Sequence, residues 1–243
     1  MARNAGIRAA VAAVAVLSLS ATAAGAQTAT KSQDQPSSTW TVPGTLPLDG
    51  LGAFLALTAP PAGPAQGSLL GYEYTLVYGL QGGSVGVLAL GARNGQKVAG
   101  FGLIPDHPVV TVPFEWSFGH VYFLYTKRLD ATRWAAWVLD WSSGAWTFIG
   151  LQTAAVGAGG IVPTSLSTWV DYDGSLGPPT TADQSTCGFY PGVDAYFYPP
   201  IGYRGTAMST ATLTGDSVVK GDCPSTTSAF NGWRHYQLGT TAP

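Results

Sequence analysis

The sequence predicts an all-β protein, built as an antiparallel sandwich or barrel of about ten to thirteen short strands. Three observations indicate this class. Apolar and polar residues alternate with a period of two from Leu69 onward. Turn signals recur about every eight to twelve residues, and no segment after residue 26 keeps helical spacing over three turns. One domain of about 200 residues is compatible with this architecture.

The first 26 residues have the layout of a secretory signal peptide. Arg3 and Arg8 supply a basic start, residues 9–19 an apolar stretch, and Ala24-Gly25-Ala26 a small-residue cleavage site. The apolar stretch is too short to cross a bilayer, and no later apolar stretch is long enough to do so. We therefore expect cleavage after Ala26 and release of a secreted, extracellular protein with no membrane anchor. A polar, flexible leader is expected at 27–39, followed by one β-sandwich domain at 40–243 with its core at about 69–240.

Two hairpins can be placed from their turns. Asn94-Gly95 separates the apolar segments 84–92 and 98–103, and Asn-Gly is a strong signal for a two-residue hairpin turn. Ser142-Ser143-Gly144 separates 133–141 from 145–151 in the same way. The remaining predicted strands lie in 40–57, 72–78, 109–116, 120–129, 165–172, 195–198, 206–213 and 233–238.

Composition excludes some functions and favours an oxidised cysteine pair. Only 10% of residues are charged, and the net charge is −2, so the chain lacks the basic surface that nucleic-acid binding needs. Loss of Arg3 and Arg8 with the signal peptide makes the mature chain more acidic. In an oxidising compartment the two cysteines, Cys187 and Cys223, are expected to form a disulfide. Two free thiols or a metal-binding pair are the alternatives.

Aromatic residues supply the main candidates for ligand binding. Four of the eight tryptophans lie on the hairpin at 133–151, where alternation places Trp137 and Trp141 on one face and Trp134 on the other. These rings form either part of the core or an exposed platform on which sugars stack. The candidate ligand-binding residues are Trp116, Trp134, Trp137, Trp141, Trp146 and Trp169, with Asp140 and Asp171 as polar anchors.

The acidic residues allow two further hypotheses. Glu73 and Glu115 are the only glutamates, and both are flanked by aromatic residues that would raise a carboxyl pKa. They are the candidate acid pair of a hydrolase acting on glycan or peptide, with solvent-facing positions as the alternative. Asp171 and Asp173 enter a glycine turn and give a weak calcium site or, alternatively, an Asx turn. No other cofactor is expected.

The region from Val112 to Leu151 resembles a family of secreted bacterial domains of unknown function. The resemblance rests on a Trp-x-x-Gly-x-x-Tyr pattern at 116–122, on Trp137-Val138-x-Asp140, and on Gly144-x-Trp146-x-x-Ile149-Gly150. It continues loosely through Trp169-Val170-Asp171-Tyr172 and a cysteine before Pro191, covering about residues 70–238. It implies a concanavalin A-like jelly-roll sandwich and no catalytic residues. In the segment of Trp169 that family often has Glu where this chain has Asp171.

A second, shorter resemblance concerns residues 38–43. Ser38-Thr39-Trp40-Thr41-Val42-Pro43 is similar to the opening strand of glutamic peptidases, but no Trp-Val-Gly-Ile-Asp-Gly stretch follows.

The expected role is non-catalytic recognition of an extracellular ligand, with carbohydrate or cell-wall glycan as first choice. A secreted hydrolase and a structural or surface-interaction protein without a small-molecule site are the alternatives. The sequence predicts no oligomeric state.

Overall fold

A computed structural model describes residues 31–58, 68–105, 107–173 and 186–239. The expected signal peptide and its cleavage site lie outside these residues. Nearly all of the described chain is extended, and its sixteen strands fall into two sheets. The predicted all-β, antiparallel sandwich is therefore confirmed.

The strands are numbered in chain order. The first eight are β1 (Gln35–Thr41), β2 (Gly50–Thr58), β3 (Tyr72–Leu80), β4 (Val85–Arg93), β5 (Gln96–Ile104), β6 (His107–Pro113), β7 (His120–Arg128) and β8 (Arg133–Asp140). The others are β9 (Ala145–Thr153), β10 (Ile161–Tyr172), β11 (Val193–Phe197), β12 (Ile201–Arg204), β13 (Ala207–Thr210), β14 (Thr212–Val219), β15 (Thr226–Phe230) and β16 (Trp233–Leu238).

Strand order defines the two layers. The first sheet has seven strands in the spatial order β14-β1-β10-β3-β4-β5-β6. The second has the order β15-β16-β11-β2-β7-β8-β9, with β12 paired to β2 and β13 paired to β12. The segment predicted as one strand at 206–213 is divided between these sheets, since β13 belongs to the second and β14 to the first.

The core lies between the two sheets. On β3 the side chains of Tyr72, Tyr74 and Tyr78 point into it and are fully buried. The ring of Tyr78 packs 6.1 Å from that of Trp134 on β8, and its hydroxyl hydrogen-bonds to Thr126 Oγ1 on β7 at 3.1 Å. Because side chains alternate along a strand, Glu73, Thr75 and Val77 face outward on the first sheet, whereas Leu76 points into the core with the tyrosines.

The two hairpins predicted from their turns are confirmed. β4 and β5 pair up to Arg93 opposite Gln96, and the two residues between them, Asn94 and Gly95, have φ values of 52° and 76°. Two consecutive positive φ values are those of a type I′ turn, which Asn-Gly favours. β8 and β9 pair up to Asp140 opposite Ala145 around the turn containing Gly144.

The predicted flexible leader at 27–39 is wrong for its described part, 31–39. β1 starts at Gln35 and pairs with both β10 and β14. Before it, Gln33 is buried because its side-chain amide donates hydrogen bonds to the carbonyls of Cys223 and Pro224 at 2.5 and 2.9 Å. The polar sequence is ordered because its polar groups find partners near the other end of the chain.

The expected disulfide joins Cys187 to Cys223, whose Cα atoms are 5.4 Å apart. Cys223 is buried, and its carbonyl also accepts a hydrogen bond from the backbone N–H of Asp34 at 2.8 Å. The bridge therefore connects the segment before β11 and the segment after β14 to the start of β1. Within the described ranges, no helix is long and apolar enough to cross a membrane.

Candidate functional site

The outer face of the second sheet carries a continuous group of aromatic rings, which we call the aromatic face. Its members share three properties: they lie on adjacent strands or, for Trp141, in the turn between β8 and β9, they point away from the core, and each contacts at least one other ring of the group. They are Phe54, Phe123, Tyr125, Trp137, Trp141, Trp146, Phe148 and Tyr203.

Strand pairing explains why these rings come together. On β8, Trp134 and Val138 point into the core, so Trp137 between them points outward. Trp137 lies opposite Tyr125 on β7 and opposite Phe148 on β9. The ring centroids are 5.9 Å apart in the first pair and 5.6 Å in the second. A cross-strand row of three rings results.

A second row runs parallel to the first. Phe54 on β2 lies opposite Phe123 on β7, with ring centroids 4.6 Å apart. The ring of Phe123 contacts Trp146 at 6.3 Å, and the ring of Phe54 contacts Trp141 edge-on at 5.1 Å. Distances of this size and tilted arrangements are those that aromatic pairs prefer.

A glycine on β2 makes room for this second row. Gly52 lies opposite Tyr125, and a Cβ added to it would lie only 2.2 Å from the ring of Phe123. The Phe123 ring therefore covers the glycine backbone, which leaves Phe123 mostly buried. The inner part of the aromatic face is fixed by this contact, whereas its outer edge on β9 stays open.

The rings at this edge are strongly exposed. Trp141 is 60% exposed, Trp146 51% and Phe148 53%. Exposed aromatic residues are common singly, but three in one contiguous group are characteristic of a surface that binds a partner or ligand.

An open cavity of about 610 Å³, with both polar and apolar lining, adjoins the aromatic face. Tyr125 and Tyr203, whose rings are 5.4 Å apart, belong to both, and burial raises the pKa of both phenols. The cavity is also lined by Asp49, Lys127 and Arg128. Its volume lies in the range of ligand pockets, roughly 300–1,000 Å³. Hydrogen-bonding groups of both charges thus lie beside an apolar platform.

The structure divides the six tryptophans predicted to bind ligand into three groups. Trp137, Trp141 and Trp146 belong to the aromatic face. Trp116 and Trp134 are fully buried, so the expectation that they stack on a ligand is wrong. Trp116 instead donates a hydrogen bond from Nε1 to the carbonyl of Gly91 at 2.6 Å. Trp134 points into the core by alternation on β8, whereas Trp116 lies in the segment between β6 and β7 and packs in the core beside Tyr74.

Trp169 and the two aspartates predicted as anchors lie elsewhere. Trp169 and Asp171 share the outer face of the first sheet, on the opposite side of the sandwich from the aromatic face. Asp140 ends β8, where it accepts a hydrogen bond from the backbone N–H of Ser142 at 2.9 Å and lies 3.4 Å from His120. The predicted ligand-binding residues therefore do not form one site.

The two glutamates occupy different environments. Glu73 is half-buried on β3 and lies directly opposite Asp171 on β10. Burial, and then the neighbouring carboxylates of Asp171 and Asp173, raise the pKa of Glu73 to about 7. Glu115 is exposed in the segment between β6 and β7. The acid that faces Glu73 is thus Asp171, which was predicted as a ligand anchor.

The weak calcium site predicted from the sequence consists of Asp171 and Asp173. In the part of the chain that the structure describes, no group of three or more His, Cys, Asp or Glu side chains is placed to hold a metal ion. Asp171 accepts a hydrogen bond from the backbone N–H of Tyr172 at 2.6 Å, and the side chain of Gln35 also hydrogen-bonds to it. The Asp171 carboxylate is therefore hydrogen-bonded by protein groups.

Five residues of the aromatic face were not among the predicted binding residues. They are Phe54, Phe123, Tyr125, Phe148 and Tyr203. For Phe123 and Tyr125 a signal is present, because they alternate along β7 with the buried Tyr122 and Leu124. Tyr203 carries no such signal, since its place on the face depends on the pairing of β12 with β2.

Comparison with known proteins yields structural neighbours only. No family model matches the chain, and neither does any curated protein sequence. A scytalido-glutamic peptidase bound to a peptide-based transition-state analogue is similar at 12% identity and a TM-score of 0.46, covering 86% of this chain and 98% of that one. SCP-B, a member of the eqolisin family of peptidases in a complex with the tripeptide Ala-Ile-His, is 12% identical with a TM-score of 0.45. That match covers 86% of this chain and 98% of SCP-B.

A more distant neighbour is GH43B of a Bacteroides ovatus xyloglucan locus. It is 15% identical with a TM-score of 0.36, and the match covers 68% of this chain and 28% of that one. At these identities and TM-scores none of the three structures assigns an activity or a site to this chain.

Proposed function

We propose that this protein is a secreted glycan-binding protein whose binding surface is the aromatic face of the second sheet. The observation that carries the proposal is the exposure of Trp141, Trp146 and Phe148 on one aromatic face, which adjoins a cavity at Tyr125 and Tyr203. The C–H-rich side of a sugar ring stacks on the electron-rich face of an aromatic ring. Its hydroxyl groups then need hydrogen-bonding partners at the edge, and Asp49, Lys127 and Arg128, which line the adjoining cavity, would supply them.

Secretion is part of the same proposal. The basic start, apolar stretch and small-residue cleavage site of residues 1–26 support it. A disulfide between Cys187 and Cys223 is also typical of proteins that fold outside the reducing cytosol. An extracellular location would expose the aromatic face to cell-wall and environmental polysaccharides.

Binding to polysaccharides tests the proposal directly. The purified protein is mixed with insoluble cellulose, xylan, chitin and peptidoglycan, and bound protein is measured after sedimentation. We expect binding to at least one of them, and we expect the double variant Trp141→Ala/Trp146→Ala to lose at least tenfold in affinity. Loss of that size matches the energy of the two aromatic contacts, about 0.5–1.5 kcal/mol each beyond area burial.

A matched control separates a specific surface from general stickiness. Phe230 on β15 is 54% exposed, at the opposite edge of the same sheet, whereas Phe148 is 53% exposed on the aromatic face. Phe148→Ala should weaken glycan binding, and Phe230→Ala should leave it unchanged. Absence of binding to every polysaccharide, with concentration-dependent self-association abolished by Trp146→Ala, would instead identify the aromatic face as a protein interface.

A hydrolase based on Glu73 and Glu115 has less support than glycan binding. The carboxyl that faces Glu73 comes from Asp171, and Glu115 lies exposed outside the strands. The aromatic face carries neither glutamate.

A further inference from the structure

The outer face of the first sheet carries a second group of chemically reactive side chains, unrelated to the aromatic face. Glu73 and Asp171 are direct cross-strand partners on β3 and β10. Such partners have Cβ atoms about 4.5–5.5 Å apart, which allows two carboxyl groups to share a proton. A Cβ on Gly91 of the adjacent β4 would lie 3.4 Å from Glu73 Cγ, so the glutamate side chain lies over this glycine.

Charges around the pair are almost all negative. Asp173 lies at the end of β10 and adds to the repulsion on both carboxyls, while Gln35 on β1 is neutral and hydrogen-bonds to Asp171. On β4 the nearest position, Gly91, carries no charge, and the exposed Arg93 lies two residues further along the same side of the strand. No cation among the described residues forms an ion pair with Glu73 or Asp171, so burial and mutual repulsion keep one proton on the pair near neutral pH.

A buried hydroxyl next to the pair has no protein partner. Thr75 follows Glu73 on the same side of β3 and is only 1% exposed, yet its Oγ1 makes no hydrogen bond within the described residues. It lies opposite Trp169 on β10 and Ala89 on β4. A buried polar atom without a partner destabilises the folded state, and a bound ligand that donates to it or accepts from it would remove this cost.

The surroundings of this group are apolar. Val77, Val85 and Val87 form a buried cluster on this face, and Ile104 and Trp169 pack against it, half-buried. A sugar placed here would lose the hydrogen bonds of most of its hydroxyls to water and find few replacements. An extended peptide with apolar side chains makes fewer such demands, because its side chains need only contact surface.

We propose that Glu73 and Asp171 form a catalytic carboxyl pair that hydrolyses peptide bonds flanked by apolar residues, with Thr75 positioning the substrate. The ionised Asp171 takes a proton from a water molecule as the water oxygen attacks the carbonyl carbon. The protonated Glu73 donates its proton to the carbonyl oxygen, which gives a neutral gem-diol. When the C–N bond breaks, Asp171 returns its proton to the leaving amine.

The second half of the step restores the pair. One hydroxyl of the gem-diol becomes the carbonyl of the new carboxylic acid and gives its proton back to Glu73. The net reaction consumes one water and one peptide bond and yields a carboxylic acid and an amine. No metal or oxidant takes part.

Cleavage of quenched fluorescent peptides tests the proposal. Peptides with apolar residues on both sides of the scissile bond are incubated with the purified protein between pH 4 and 8. We expect cleavage that declines above pH 7, where Glu73 loses its proton. Glu73→Gln and Asp171→Asn should each lower kcat/KM by about 10²–10⁴, as expected for loss of an acid or base.

The controls distinguish catalysis from folding and from contamination. Glu115→Gln, prepared identically, removes the other glutamate and should leave kcat/KM within twofold. Thr75→Val should raise the unfolding temperature while raising KM, a combination that a purely structural role would not produce. Retained cleavage in Glu73→Gln, no cleavage of any peptide by the wild type, or cleavage of oligosaccharides in place of peptides would overturn the proposal.

Discussion

Burial decides what each tryptophan side chain contributes. Trp134 fills the core against Tyr78 and is fully buried, whereas Trp141 is mostly in solvent. We expect Trp134→Ala to lower the free energy of unfolding by about 3–5 kcal/mol, the usual cost of deleting a large core side chain. Trp141→Ala should cost less than about 1 kcal/mol. Denaturant unfolding followed by far-UV circular dichroism measures both, and equal losses would contradict the assignment of their faces.

Glu73 makes stability depend on pH. Its pKa is about 7 in the folded protein, against an ordinary value of 4.5 in the unfolded chain. Between these values the folded state holds a proton that the unfolded state has lost, so the contribution of Glu73 to stability is fully present below pH 4.5 and is lost as pH rises through 7. The full effect is at most about 3 kcal/mol.

A pair of variants isolates this effect. Glu73→Gln cannot ionise, so we expect its unfolding free energy to stay flatter than that of the wild type between pH 5 and 8. Glu115→Gln should keep the wild-type pH dependence, because Glu115 is exposed. Chemical denaturation at several pH values gives the comparison, and an identical slope in all three proteins would show that Glu73 titrates normally.

From the sequence alone, alternation predicts which side chains of one strand share a face. It does not predict which of the two faces is buried and which is exposed to solvent. Alternation correctly placed Trp134 opposite in direction to Trp137 and Trp141. It did not identify the outward pair as the exposed one, because both faces of β8 carry large apolar side chains. The exposed face is fixed by the second layer, whose position depends on strand pairings distant in sequence.

At the scale of elements, local rules predicted hairpins and failed where partners are remote. The Asn94-Gly95 turn contains its own signal, since its two positive φ values suit these residues. β1 has no comparable signal. Its buried Ser38 is stabilised by a hydrogen bond to Asp216 Oδ1 at 2.7 Å, 178 positions along the chain. The polar sequence of this segment predicts a flexible leader. Hydrogen bonds to residues distant in the chain instead hold it as a strand.

The aromatic face also depends on one glycine, Gly52 on β2. Gly52→Ala would place a methyl group inside the ring of Phe123, which must then move away from β2. Forcing such a shift costs about 1–3 kcal/mol. We expect weaker glycan binding together with a lower unfolding temperature, both measured on the same protein. Gly188→Ala is the matched control, because its Cβ would meet only Thr186 Oγ1 at 3.6 Å.

On the scale of the whole molecule, the disulfide joins distant parts of the chain. Cys187 and Cys223 are 36 positions apart, and Cys223 also anchors the segment before β1. Closing a loop of this size stabilises the fold by about 3–4 kcal/mol through the unfolded state. The double variant Cys187→Ser/Cys223→Ser should lose about this much, as measured by denaturant unfolding. Reduction of the wild type by dithiothreitol should reproduce the loss, and no effect of reduction on the double variant is the control.

The two proposed sites lie on opposite outer faces of the sandwich, with the full core between them. Glu73 lies on β3 of the first sheet and Trp141 in the β8–β9 turn of the second, and sites this far apart act independently in stability and binding. We therefore expect Trp141→Ala/Trp146→Ala to lose glycan binding and retain peptide cleavage. Glu73→Gln should do the reverse, and the combined variant should show the sum of the two losses. A single substitution that abolished both activities without lowering the unfolding temperature would mean that one face performs both functions. Independent losses would instead describe a protein that binds a polysaccharide with one sheet and leaves the other free to act on peptides nearby.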